Sequence, residues 1–376
     1  MQANETDLFR DFVVRRLRAV VFQAERGRED SRQFYDLLAS ARDFFTWTFG
    51  ATNGQGERFT AIPGYVEIFT PNAFADRFET RFYLGMHPAL YGAIHEFSMF
   101  CFAQRSFFPE IGEAEQEKSP EPMNGVSPGL WLLDYTQKGG QVQEHHSKKL
   151  TPRCPQRYEF SVYLAFLMAR FVWLHELAHA FKGHVSFVQH RNIALRLTEI
   201  ADARHAVSIQ EDPSDEDLEM LRALELDADQ SALWASWRIQ TDGRENVGGI
   251  ADVARPLRLK LTLFACYAMT WLFEEFQAYM DVKADASHPP PMLRLLGLLD
   301  LASNGLSKRY DDFDGANGAA CREFDAICLS IPKIFRPAAL VTHLREEGRM
   351  VGAYGRLEER MQALRKTLSD YEFSGA

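Results

Sequence analysis

The sequence predicts a mostly α-helical chain with a small β component, an α+β protein. Three observations carry this. Apolar residues recur at helical spacing through most of the 376 residues. One block, 57–86, changes to short β-prone runs between turn residues. Two long helical tracts, near 158–183 and 214–237, carry ionisable side chains four positions apart, the spacing that puts them on one helix face.

Taken in order, Phe9, Phe12, Val13, Leu17, Val20 and Val21, then Phe34, Leu37, Leu38, Phe44 and Phe45, predict a helical hairpin broken around Arg26-Gly27-Arg28. The runs Tyr65–Thr70 and Thr80–Leu84, bounded by Pro63-Gly64, Pro71-Asn72 and Gly85, are expected to pair as a small sheet. A helix is expected over Pro88–Phe107. The segment after it, Glu110–Gly129, is the most polar and Pro/Gly-rich of the chain, a composition that predicts a mobile linker or lid. Trp131–Tyr135 has the composition of a strand, and Tyr158–Gly183 that of one long apolar helix.

Ser214 is placed to cap a further helix, with Asp215, Glu216 and Asp217 in the first turn where the helix dipole favours acids. Leu261–Phe273 is the most apolar run. At about 13 residues against the roughly 20 that span a bilayer, it is expected to be a buried helix. Ser287-His288-Pro289-Pro290-Pro291 is a stiff turn into a helix from Met292 to Leu299. The stretch Asp311–Gly318 is expected to be a loop, and it is no calcium loop, because Ala316 falls where a ligand is needed. Leu357, Met361, Leu364 and Leu368 mark a final amphipathic helix.

The balance of 42 basic against 52 acidic residues gives a formal charge of −10. That leaves no footprint for nucleic acid or an anionic membrane surface, and favours a protein or peptide partner. Cys101, Cys154, Cys266, Cys321 and Cys328 form no Cys-x-x-Cys pair, which predicts reduced thiols in a cytosol rather than disulfides or a thiolate metal site. The amino terminus mixes acids and arginines into its apolar positions, so no export signal and no membrane span are expected and the chain is predicted to be cytoplasmic.

The chemistry gathers in Leu174-His175-Glu176-Leu177-Ala178-His179-Ala180-Phe181-Lys182-Gly183-His184. On a helix, His175 and His179 project from one face within reach of a single ion, with Glu176 beside them. This is the HExxH arrangement, in which Zn2+ polarises a water and the glutamate takes its proton. A catalytic zinc takes three protein ligands and keeps an open position. His184 lies about half a turn away on a continuous helix and could bind only if Gly183 turned the chain back; it is otherwise a buried residue at the helix end. The better third ligand is Glu225, with Asp229 four residues on accepting the outer N–H of a ligand histidine, His175 foremost. Glu199, in Glu199-Ile200-Ala201-Asp202, is the alternative third ligand. His288 is held in a fixed direction by the prolines after it, and could complete the site by facing a developing oxyanion.

Three blocks in this order, HELAHAFKGH, ELDAD and SHPPPMLR, resemble the gluzincin HExxH zinc metallopeptidases that include the CAAX prenyl endopeptidase and the HtpX family. The resemblance covers roughly residues 160–300. It implies a zincin-like catalytic core in which an HExxH helix meets a second helix carrying ExxAD. It also implies zinc on His175, His179 and Glu225, Glu176 as general base, Asp229 behind the metal ligands, and His288 and Arg294 near the substrate. Those families are membrane proteins and this chain lacks their spanning helices, so soluble zincins such as phage-exclusion proteases of the Lit type are the nearer comparison.

The expected organisation is an N-terminal recognition or regulatory unit over 1–109, the linker or lid over 110–129, a metallopeptidase core over 130–305 and a C-terminal helical extension over 306–376. The expected function is a soluble zinc endopeptidase cleaving a specific intracellular protein, with the N-terminal unit free to engage a regulatory partner. The alternative is a regulatory or sensor protein whose zinc site is structural or degenerate and which acts by partner binding.

Overall fold

The structure, a computed structural model, describes residues 5–25, 32–48, 50–122, 126–140, 150–191, 197–198, 214–242, 253–279, 288–311, 313–330 and 349–374. It is mostly helical with a small mixed sheet, the α+β class expected. Glu199 and Asp202 lie outside the described residues.

The amino-terminal helix α1 (Glu5–Phe12) leads into β1 (Val21–Phe22) and α2 (Arg32–Phe45). The strands β2 (Ala61–Val66), β3 (Ala73–Phe78) and β4 (Arg81–Met86) follow, and β5 (Leu197–Thr198) completes the order β1-β2-β4-β3-β5. β2 and β4 are parallel, with Tyr65 opposite Met86, whereas β3 and β4 form an antiparallel hairpin. The strand expected at Tyr65–Thr70 begins earlier and runs through Pro63. Among the described residues β1 covers only Tyr65 and Val66, so Pro63 lies on a side of β2 that no described strand pairs, the place a strand tolerates proline.

Both faces of this sheet are covered. Ile62, Val66, Phe74 and Tyr83 pack with Phe9 and Phe12 of α1, where the Phe12 and Tyr83 rings stack at 4.2 Å. On the other face Ala61, Tyr65, Phe82 and Leu84 join one continuous core that draws residues from Leu37 to Phe373 and crosses all four expected segments.

The helical layer comprises α3 (Pro88–Phe102), α4 (Trp131–Gln137), α5 (Pro155–Phe181), α6 (His184–His190), α7 (Asp215–Thr241), α8 (Arg255–Tyr279), α9 (Pro291–Asp300), α10 (Phe313–Ser330) and α11 (Arg349–Leu368). α5 runs through the centre, against the sheet on one side and α3, α7 and α8 on the others. That placement explains a sequence apolar on most faces. α5 is long and apolar enough by length and composition to cross a membrane, but 94% of its most apolar window is buried within the fold.

Three expectations are corrected. Trp131–Tyr135, expected as a strand, is helical, because the buried Glu96 carboxylate accepts the N–H groups of Gly129, Trp131 and Leu132 at 2.8, 3.0 and 2.9 Å and so satisfies the start of α4. Asp311–Gly318, expected as a loop, turns helical at Phe313, because Phe313, Ala316 and Ala320 are buried and Phe313 packs on Trp237. The segment 110–129, expected to be mobile, is tied down over 110–122. Glu117 is buried, accepts the N–H groups of Arg153 and Cys154, and faces the Arg157 guanidinium at 3.6 Å. Arg157 in turn donates to the carbonyls of Phe102, Gln104, Phe107, Phe108 and Ile111 at 2.8–3.0 Å, supplying the polar partners that a segment without apolar bulk needs to order.

Candidate metal centre

The site lies where the last turns of α5 meet the middle of α7. α5 starts at Pro155, whose ring suits the first helical position, and is separated from α6 at Gly183, in the left-handed conformation at φ 80°. A side chain there would be strained and would also strike the backbone of Tyr371 at 2.5 Å. α7 starts as expected: Ser214 accepts the N–H of Asp217 at 3.2 Å.

His175 and His179 face each other across one helical turn, their Nε2 atoms 2.9 Å apart. Glu225 of α7 meets both, with Oε2 3.3 Å from His175 Nε2 and Oε1 3.3 Å from His179 Nε2. One ligand atom from each of the three falls within 4.8 Å of the others, and this buried group could hold a metal ion. Burial raises the Glu225 carboxyl pKa, but the imidazoles of His179, His288 and His175 outweigh it and hold the carboxyl well below its ordinary range.

The groups behind the histidines favour the tautomers that a metal ion needs. His175 Nδ1 is 2.9 Å from Asp229 Oδ1, and a carboxylate there favours the proton on Nδ1, which leaves Nε2 for a metal ion. His184 Nε2 faces Asp227 Oδ2 at 3.3 Å and therefore carries its own proton, leaving His184 Nδ1 to accept from His179 Nδ1 at 3.1 Å. Burial pushes the His184 pKa down to about 4, keeping the ring neutral in this role. With these tautomers two imidazole Nε2 atoms and a carboxylate converge on one point. A cation at their centre would relieve the crowding of lone pairs, and this donor set is one that zinc takes.

Asp229 has a second partner. Arg294 of α9 donates to it through Nε and Nη2, each at 2.7 Å, and stacks its guanidinium over the Phe273 ring at 5.0 Å. Burial raises the Asp229 carboxyl pKa, and Arg294 followed by His175 brings it below the ordinary value. Arg294, expected near the substrate, is joined to the group through Asp229. His288, at the turn before α9, places Nε2 3.6 Å from Glu225 Oε1 and so borders the group. Glu176 is buried on the same turn of α5, about 60° around the helix from His179.

Asp227 was not identified by sequence reasoning as part of the site, and His184 was expected there only if Gly183 turned the chain back, otherwise as a buried residue at the helix end. The signal was Gly183: a left-handed residue ends α5 and starts α6 at His184, which turns this ring back onto His179. Asp227 is also held by Lys182 Nζ at 2.9 Å and by Arg365 Nη2 of α11 at 2.6 Å.

Comparison with protein-family models, with curated proteins and with solved structures returned no match, so the chemistry of the centre rests on its own residues.

Proposed function

We propose that the protein is a soluble, cytoplasmic zinc-dependent endopeptidase with a zincin-like core, acting on a specific intracellular protein. One observation carries the proposal: one ligand atom from each of His175, His179 and Glu225 lies within 4.8 Å of the others, and a further buried carboxylate, Glu176, lies on the turn of α5 that carries the two histidines. When bound, zinc supplies a Lewis acid that acidifies a water and polarises a peptide carbonyl.

The chain's own residues do the rest. Glu176 accepts the proton of the attacking water and delivers it to the leaving amine. His288 offers an imidazole to the oxygen on which charge develops. Asp229, neutralised by Arg294, holds the His175 ring so that Nε2 stays available.

One observation favours the second reading, a regulatory protein with a structural zinc site: His175, Glu176 and His179 are each only 1% exposed. Labelling of new amino termini in a cytosolic extract separates the two. The zinc-loaded protein is expected to generate a small, reproducible set of cleaved termini that a chelator abolishes. Full zinc occupancy with no new termini in any extract would favour the structural site.

A further inference from the structure

We propose that His184 and Asp227, anchored by Arg365 of the C-terminal helix, position the His179 ring for metal binding, so that the tail of the chain is part of the metal centre. The inference rests on the zinc reading above and extends it to residues that touch no metal.

The two ligand histidines are supported differently. His175 is held directly by a carboxylate, Asp229, with Arg294 behind it. His179 is held through an intervening imidazole: its Nδ1 meets His184 Nδ1 at 3.1 Å, and His184 Nε2 meets Asp227 Oδ2 at 3.3 Å. Behind Asp227 stand Lys182 at 2.9 Å and Arg365, whose Nε and Nη2 reach Oδ1 at 3.0 and 2.6 Å. Each support therefore ends on an arginine from a later helix, α9 for His175 and α11 for His179.

The tail is also fastened to the end of α5. Phe373 N donates to the Phe181 carbonyl at 2.9 Å, the Phe373 ring packs against Phe59, Phe82 and Phe181, and Tyr371 closes over Gly183. The same tail thus braces the turn that aims His184 and the carboxylate that orients it. Because both His184 nitrogens are engaged, the ring has one orientation and one tautomer, and it transmits that choice to His179.

The test is zinc affinity of the full chain, by competition with a chromophoric chelator, together with the visible absorption of the cobalt-substituted protein. His184→Ala and Asp227→Asn are expected to weaken zinc by about 10–100-fold and to change the cobalt band, which reports ligand geometry. His184→Gln, able to accept from His179 and donate to Asp227, is expected to recover most of the affinity. Arg365→Ala alters a half-exposed side chain and so keeps the test open if the buried variants fail to fold; about a several-fold weakening with a shifted cobalt band is expected. Wild-type affinity and an unchanged cobalt spectrum in folded His184→Ala and Arg365→Ala would overturn the inference while leaving the zinc site standing. Absence of zinc binding by the wild-type chain would overturn both.

Discussion

Glu176→Gln is expected to abolish cleavage while leaving zinc in place. The substitution keeps the size and burial of the side chain but removes its capacity to accept a proton, and general-base assistance is worth about 10²–10⁴-fold. His175, His179 and Glu225 are untouched, so metal content and the cobalt spectrum should match the wild type. The two readouts must separate: activity lost and metal kept. A Glu176→Gln protein that retains full activity would remove the general base from the proposal, whereas loss of both activity and metal would show that Glu176 serves the site structurally. The inactive variant also suits trapping of the substrate, since binding is expected to persist when turnover stops.

Arg294→Met is expected to destabilise the fold and the metal site together. Arg294 and Asp229 are both buried and joined by two hydrogen bonds of 2.7 Å. Removing one partner leaves a buried carboxylate without its counter-charge, which costs about 3–5 kcal/mol where such pairs have been broken. Urea unfolding of the apo protein should register that loss, and zinc affinity should fall by about 10–100-fold, because Asp229 would lose its fixed position behind His175. The effect depends on pH. Asp229 has its carboxyl pKa lowered from 3.8 in the folded state, so its contribution to stability is present above that value and lost as pH falls through the lowered one. In Arg294→Met the depression shrinks, and acid unfolding is expected to begin at higher pH. Unchanged urea and acid transitions would show that the pair contributes nothing net to the fold.

The parts legible in the sequence were those encoded by local periodicity. His175 with His179 and Glu225 with Asp229 stand four apart, and helix geometry alone turns that spacing into shared faces. The two faces meet in the fold. What spacing could not supply was the partner of a long side chain. Arg294 finds Asp229 65 residues away, and Arg365 finds Asp227 138 residues away. Neither pairing leaves a mark in the local pattern. His184 was legible as a buried residue at the helix end, but its contact with His179 was not, because that contact depends on the backbone reversal at Gly183.

The same distinction accounts for the elements. The strand composition of Trp131–Tyr135 was outweighed by the distant Glu96 carboxylate. The polar composition of 110–122 was outweighed by the Arg157–Glu117 pair and the carbonyls that Arg157 collects. In each case a buried charge supplied hydrogen bonds that local propensity does not contain.

The assignment of Glu225 as the third ligand is tested most directly by the zinc content of the purified protein, measured on the wild type, Glu225→Ala and Glu199→Ala after removal of loosely bound metal. The expected result is about one zinc per chain in the wild type and in Glu199→Ala, and almost none in Glu225→Ala. Zinc retained by Glu225→Ala and lost from Glu199→Ala would contradict the site built on His175, His179 and Glu225.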